Sequence, residues 1–281
     1  MCCIEAREMK IGIFDSGIGG LSLLHEAYHL LPNEEYIFYA DTDHVPYGLK
    51  SVETIQGYVL NIVKFLIEEG ADVVVIACNT ATSVGVKLAR ETYSIPILGM
   101  EPAVKPAVEE TESKRIMVIA TPITVRENKL KCLLKRVDGQ HRVDLLAMPE
   151  LVTFAENEEF ESENVKRYLE KQFSSFDTAN YSAIVLGCTH FNYFKSLYKN
   201  YFGNDLEIID GNNGTINHLV DIMDLKISDD TDSEIIFSNT DEVRNMCSTK
   251  YFLSGRNVTD EATLAHFMRL HNRLEEMRKV R

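Results

Sequence analysis

Nowhere do the 281 residues offer an uninterrupted apolar run near the roughly 18 to 20 needed to cross a bilayer. The first residues, MCCIEARE, have no basic start followed by an apolar stretch, so no secretory signal is legible. Cysteine is scarce: Cys2, Cys3, Cys78, Cys132, Cys188 and Cys247 are all there is. They have neither the density of a disulfide scaffold nor a CxxC pair of the kind that builds a zinc site. These absences predict a cytoplasmic protein with reduced thiols and no metal centre. Basic side chains are also short: 29 Lys and Arg against 43 Asp and Glu leave a net charge of −14. Nucleic acid and anionic membranes need a net basic face, so neither is expected as a partner. The chain also lacks a Gly-Lys-Ser/Thr phosphate loop and the spacing of a dinucleotide fingerprint.

What is present is an ordinary globular composition, 45% apolar and 26% charged. The length suits two domains, or one large α/β domain, with ample core. Short β-branched runs alternate with longer helical stretches, which predicts parallel βαβ architecture. Strands are expected at Lys10 to Phe14, Tyr36 to Ala40, Asp72 to Ala77, the IPILG segment, Arg115 to Ala120, Arg142 to Leu146, Tyr181 to Gly187 and Leu206 to Asp210. DVVVIA and YSAIVLG are continuous apolar runs, as strands covered on both faces require. A helix is expected from Val52 to Glu69, where Val52, Ile55, Val59, Ile62, Val63 and Leu66 recur at helical spacing before Gly70. Further helices are expected from about Pro122 to Arg136 and from Phe191 to Tyr201. Gly99 to Pro106 and Gly211 to Gly214 read as hinges. Residues 1 to 8 read as a loosely ordered extension ahead of MKIGIFDSG. The acidic clusters Glu156 to Glu163 and Asp229 to Glu234 read as solvated faces.

One internal echo bears on function. DVVVIACNT and YSAIVLGCTH share a layout: an apolar strand, a cysteine, a hydroxyl residue within two positions, then a helix. In open parallel sheets, ligands collect beyond the carboxyl ends of the strands, where the next helices aim their amino termini. Orphan N–H groups there favour anions and lower a thiol's pKa. Cys78 and Cys188 both fall at such ends, and Asn79, Thr80 and Thr189 beside them could grip a carboxylate. A lone buried cysteine is usually just a small hydrophobe; two in matched settings are not so easily dismissed. The loop DSGIGGLS (Asp15 to Ser22) also joins a strand to a helix, and its glycines permit a tight turn and close backbone approach. His190, two residues beyond Cys188, could set protonation there or merely cap a helix.

Two separated thiols, several neutral donors and no cofactor motif suit proton transfer at a carbon α to a carboxylate. One thiolate removes the proton from one face while the opposite thiol protonates the other. The carbanion demands a site that excludes water and surrounds the carboxylate with fixed donors.

At these residues the chain resembles the aspartate/glutamate racemase superfamily, in its glutamate racemase branch. The blocks that carry the resemblance are IGIFDSGIGGLS, YADTDHVPYG, VVIACNTAT, GMEPAVKPA, VIATPITV and VLGCTHF, in order from Lys10 to about Asp210. The resemblance implies two pseudo-symmetric parallel-sheet α/β domains with the active site between them. Residues 1–98 and 212–281 would form the first and 99–211 the second. It implies cofactor-independent interconversion of L- and D-glutamate, supplying D-glutamate for peptidoglycan, and a homodimer. Cys78 and Cys188 would be catalytic, with Asp15 assisting the first and His190 and Glu156 the second. Asp15, Ser16, Tyr47, Gly48, Asn79, Thr80, Thr121, Thr124, Thr189 and His190 would contact the substrate. The segment MPELVT (Met148 to Thr153) departs from the family pattern, and the resemblance fades beyond Asp224. Other readings of the same scaffold are racemisation of aspartate or another amino acid, and a silent ligand-binding protein. A cysteine hydrolase using His190 leaves the second cysteine unexplained.

Overall fold

The structure is a computed structural model that describes residues 8–111 and 114–280. Cys2, Cys3 and the expected extension up to residue 7 lie outside the described residues. Strands run at β1 (Lys10–Asp15), β2 (Glu35–Ala40), β3 (Val73–Ile76), β4 (Ile97–Gly99), β5 (Arg115–Ala120), β6 (Val143–Ala147), β7 (Tyr181–Gly187), β8 (Glu207–Ile209), β9 (Lys250–Leu253) and β10 (Arg256–Asn257). They form two sheets. The first has the order β10-β9-β2-β1-β3-β4 and is parallel except for β10, which turns back along β9. The second, β6-β5-β7-β8, is wholly parallel.

The central strands β1, β3, β5 and β7 are buried nearly end to end because helices cover both faces of each sheet. That is why their sequences are runs of Val, Ile and Ala rather than alternating patterns. The helix Val52–Glu68 starts at Ser51, whose Oγ accepts from the Thr54 N–H, and buries Ile55, Val59, Ile62, Val63 and Leu66 as the spacing predicts. It ends before Gly70, whose φ of +92° suits only glycine.

Two expectations need correction. The helix expected from Pro122 to Arg136 is two helices, Pro122–Arg126 and Asn128–Val137, because Glu127 takes an extended conformation between them. The helix expected after Cys188 opens as a 3-10 turn, Thr189–Phe194, before the α-helix Lys195–Phe202. All six residues of that turn are buried, so side-chain packing decides its geometry. The poorly matching tail contains β9 and β10, which return the chain to the first sheet beside β2. The helix Glu261–Arg278 then packs on the helix Leu21–Leu30 that follows β1. The first sheet thus draws its strands from residues 10–99 and 250–257, and the second from 115–209.

The helices Val52–Glu68 and Asn79–Thr92 cross at Gly85, where an added Cβ would stand 2.8 Å from Val59 Cγ2. Gly85→Val is therefore expected to destabilise the protein by about 1–3 kcal/mol through overpacking. The check is the shift in urea midpoint at unchanged m-value.

Candidate active site

The carboxyl ends of both sheets empty into one cleft of about 380 Å³, its open mouth included. The turn after β1 supplies Ser16, the loop after β2 supplies Tyr47 and Gly48, and the end of β3 supplies Cys78, Asn79 and Thr80. From the second sheet come Thr121 after β5 and Cys188, Thr189 and His190 after β7. Ten of the sequence-derived positions therefore line a single space. Pro46 of the YADTDHVPYG block joins them, and Leu49, Pro122, Pro149 and Val152, which were not read from the sequence as site residues, complete its wall. Val152 has a signal in hindsight: it lies four residues before Glu156 on the helix Glu150–Glu156, so the two share a face.

Cys78 is the residue preceding the helix Asn79–Thr92, and its Sγ accepts from the Ala81 N–H at 3.4 Å. The thiol also donates to Ser16 Oγ at 3.5 Å. The expectation that this helix start lowers its pKa is reversed. Burial, reinforced by the Asp15 carboxylate, outweighs the Ser16 and Ala81 hydrogen bonds and pushes Cys78 up to about 12. Cys78 therefore holds its proton at neutral pH.

Asp15 stands behind the cleft rather than on its wall, fully buried. Its Oδ1 accepts from the Gly17 N–H at 3.1 Å, and its Oδ2 accepts from Thr189 Oγ1 at 3.0 Å. The second bond crosses from one sheet's edge to the other's. Burial raises Asp15 to about 6, with the nearby His190 opposing.

The second thiol has different company. Cys188 Sγ lies 3.8 Å from His190 Nδ1, and His190 Nε2 lies 2.6 Å from Glu156 Oε1. The same Glu156 oxygen accepts from the Ile18 N–H at 2.9 Å. Burial alone would lower the His190 pKa, but hydrogen bonds to Cys188 and Glu156 carry it well above its ordinary value. A protonated imidazole thus faces Cys188 with a carboxylate behind it. Glu156, read from its acidic neighbourhood as solvated surface, is tied into this chain instead. The glycines of the DSGIGG loop now have a reason: a Cβ on Gly17 would collide with Glu156, and one on Gly19 with His190 and Thr189.

Neutral donors furnish the rest. Thr80 Oγ1 bonds Thr121 Oγ1 at 2.8 Å, and Thr121 bonds Thr124 at 3.1 Å. Thr124 does not reach the cleft; it lines a neighbouring cavity and supports Thr121 from behind. Tyr47 commits its hydroxyl to Asp41 Oδ2 at 2.6 Å, and Asp41 also accepts from Ser254 Oγ at 3.0 Å. The tail thereby braces the cleft wall through the turn between β9 and β10. Asn79 is the exception to this satisfied network. Both polar atoms of its buried amide lack a partner, which costs free energy until a ligand supplies one. Among the described residues no Arg or Lys lines the cleft, so a bound carboxylate would meet amide, hydroxyl and backbone groups.

Two parallel α/β units each present a cysteine to a shared cleft of neutral donors, an arrangement suited to moving a proton across a carbon as racemases do. The family described as Asp/Glu/Hydantoin racemase matches residues 22–219, and the chain belongs to it. A glutamate racemase of Lachnospira eligens is 46% identical over 274 residues, covering 97% of this chain and all of its own length. The crystal structure of the Campylobacter jejuni glutamate racemase matches with a TM-score of 0.74 at 28% identity, over 93% of this chain and 97% of that one. That of the Escherichia coli glutamate racemase, in complex with L-glutamate and an activator, matches with a TM-score of 0.73 at 26% identity, over 90% and 100% of the two chains.

The raised pKa of Asp15 has a sign. Its folded value of about 6 lies above the ordinary 3.8, so the cost of the buried charge is absent below 3.8 and complete once pH exceeds about 6. Asp15→Asn, which removes that charge, is expected to be more stable than the parent at pH 7, by roughly 1–3 kcal/mol. The gain should shrink as pH falls through this window and vanish below it. Urea unfolding at a series of pH values measures this; a gain independent of pH would refute it.

Proposed function

We propose that this protein interconverts L- and D-glutamate by a two-base proton transfer between Cys78 and Cys188, without a cofactor, and supplies D-glutamate for peptidoglycan. The observation that carries the mechanism is the pair of thiols on one cleft with unlike surroundings. Cys78 is a protonated thiol beside a carboxylate, while Cys188 faces a cationic imidazole. In one direction Cys188 Sγ forms a bond to the α-proton, and the C–H electron pair moves onto the α-carbon and into its carboxylate. The S–H bond of Cys78 then breaks as its proton passes to the opposite face. Cys188 ends as the thiol and Cys78 as the thiolate, so the reverse direction exchanges the roles.

The remaining site residues have supporting parts. Asn79, Thr80, Thr121 and Thr189, with Ser16, surround the carboxylate where charge develops, and the unpartnered Asn79 amide supports this assignment. Glu156 holds the His190 ring beside Cys188 Sγ. Asp15 acts on Cys78 through Ser16, and Thr124 positions Thr121. Tyr47 and Gly48 wall the substrate side, where a Cβ on Gly48 would press within 3.0 Å of Thr121. We place the enzyme in the cytoplasm as a homodimer with the division 1–98 and 212–281 against 99–211. Among the described residues no helix is long and apolar enough to cross a membrane, and Cys78, Cys132, Cys188 and Cys247 are all free.

A chiral assay with each glutamate enantiomer, with aspartate in parallel, tests the substrate. Cys78→Ala and Cys188→Ala are each expected to cut racemisation by at least 10²–10⁴-fold, on the order of a lost general acid–base group. In heavy water each variant should retain α-proton exchange with only one enantiomer, because one base remains. Undiminished turnover in either variant removes the two-base mechanism, and turnover of aspartate alone removes the substrate.

A further inference from the structure

Three side chains with no part in this chemistry meet on the far side of the helix that follows the glycine loop. His25 and His29 lie one turn apart on the helix Leu21–Leu30, and Glu275 faces them from the helix Glu261–Arg278. His25 Nε2 is 2.7 Å and His29 Nε2 2.9 Å from the same Glu275 oxygen. The donor atoms all fall within 4.8 Å of one another, and none of the three side chains is more than 3% exposed.

We propose that His25, His29 and Glu275 bind one divalent transition-metal ion, of which zinc is the best fit. Two imidazoles and a carboxylate are a donor set that zinc favours, and they leave one position of a tetrahedral ion for a further ligand. The segment His25-Glu26-Ala27-Tyr28-His29 has the H-E-x-x-H spacing that sets two histidines on one helical face toward a shared ion. Counting cysteines misses that signal, and the site departs from the expectation of no metal. Donors on a tetrahedral zinc stand roughly 3.3 Å apart at bond lengths near 2.0–2.1 Å. The present contacts therefore need to open by only about half an ångström, within reach of side-chain rotation.

The surroundings fit the same purpose. Histidine ligands pass their other ring nitrogen to an outer partner that fixes the ring. His25 Nδ1 has one in His271 Nδ1 at 3.1 Å. His25 also borders a cavity of about 300 Å³ at the junction of the two halves, which gives an ion and a fourth, water ligand a way in. Glu26, the acid within the H-E-x-x-H segment, lies 3.5 Å from Arg278 and points to a structural ion rather than a hydrolytic one. The bound ion clamps the helix leaving the glycine loop to the last helix of the chain.

Chelator-stripped full-length protein titrated with zinc against a chromophoric chelator tests the site. The wild type and a Cys78→Ser/Cys188→Ser variant are each expected to take up one equivalent and to melt at higher temperature when loaded. His29→Gln and Glu275→Gln should each weaken uptake at least tenfold while keeping the circular-dichroism spectrum of the metal-free parent. Should either variant fail to fold, cobalt substitution of the wild type decides. Strong d–d bands without thiolate charge transfer support the site, and thiolate charge transfer or no ordered cobalt spectrum overturns it. Stoichiometric uptake absent in the wild type, unchanged in His29→Gln and Glu275→Gln, or lost with the two cysteines overturns it equally.

Discussion

The hydrogen bond from Thr189 to Asp15, with its neighbour from Ile18 to Glu156, is the constraint on which the site depends. One starts from the last residue of β1 and the other from the turn after it, and each reaches a residue carried by the second half of the chain. Together they press the DSGIGG loop against His190 so closely that Gly17 and Gly19 have no room for a side chain. With the bond from the Tyr193 hydroxyl to the Ile18 carbonyl, they tie the β7 end that carries Cys188 to the edge that carries Cys78. Burial strengthens both bonds, since buried polar groups left unpaired would each cost about 1–3 kcal/mol.

The two thiols are equivalent in topology and unequal in electrostatics. Cys78 caps an α-helix, yet burial and the Asp15 carboxylate overwhelm the helix terminus and hold the proton on sulfur. Cys188 precedes a 3-10 turn that offers no such cap, and its neighbour is instead His190, which Glu156 holds in place. A helix dipole falls off within one turn and is worth at most a couple of kcal/mol. Full burial of a charge outweighs that easily, so the local motif is a poor guide to protonation here.

Much of the fold was legible because the central strands are continuous apolar runs bounded by glycine or polar turns. The tail was not: β9 has only four residues, and its burial depends on β2, more than two hundred positions earlier. The break at Glu127 and the 3-10 turn after Cys188 are settled by tertiary packing, which periodicity does not register. Within the site, the residues at strand ends were the visible ones. Asp15 and Thr124 were expected on the cleft wall and stand behind it, since a polar residue's spacing does not tell which side of the wall it occupies. Glu156 sits in an acidic run that reads as surface, and only its partner His190 reveals why it turns inward. The apolar wall of Leu49, Pro122, Pro149 and Val152 carries no chemical signature at all.

The second sheet is inserted between β4 and the returning chain, so only the segments near Gly99 and Gly211 join the halves covalently. A Cβ on Gly211 would press within 2.9 Å of the Glu101 carbonyl, which shows how tightly these two crossings abut. The bonds from Thr189 to Asp15 and from Ile18 to Glu156 are therefore noncovalent ties across a joint that the backbone crosses only twice. Each sulfur draws its partner from its own side of that joint, Cys78 from Ser16 and Cys188 from His190, so each half brings a ready-made hemisphere and the joint has only to hold the two in register.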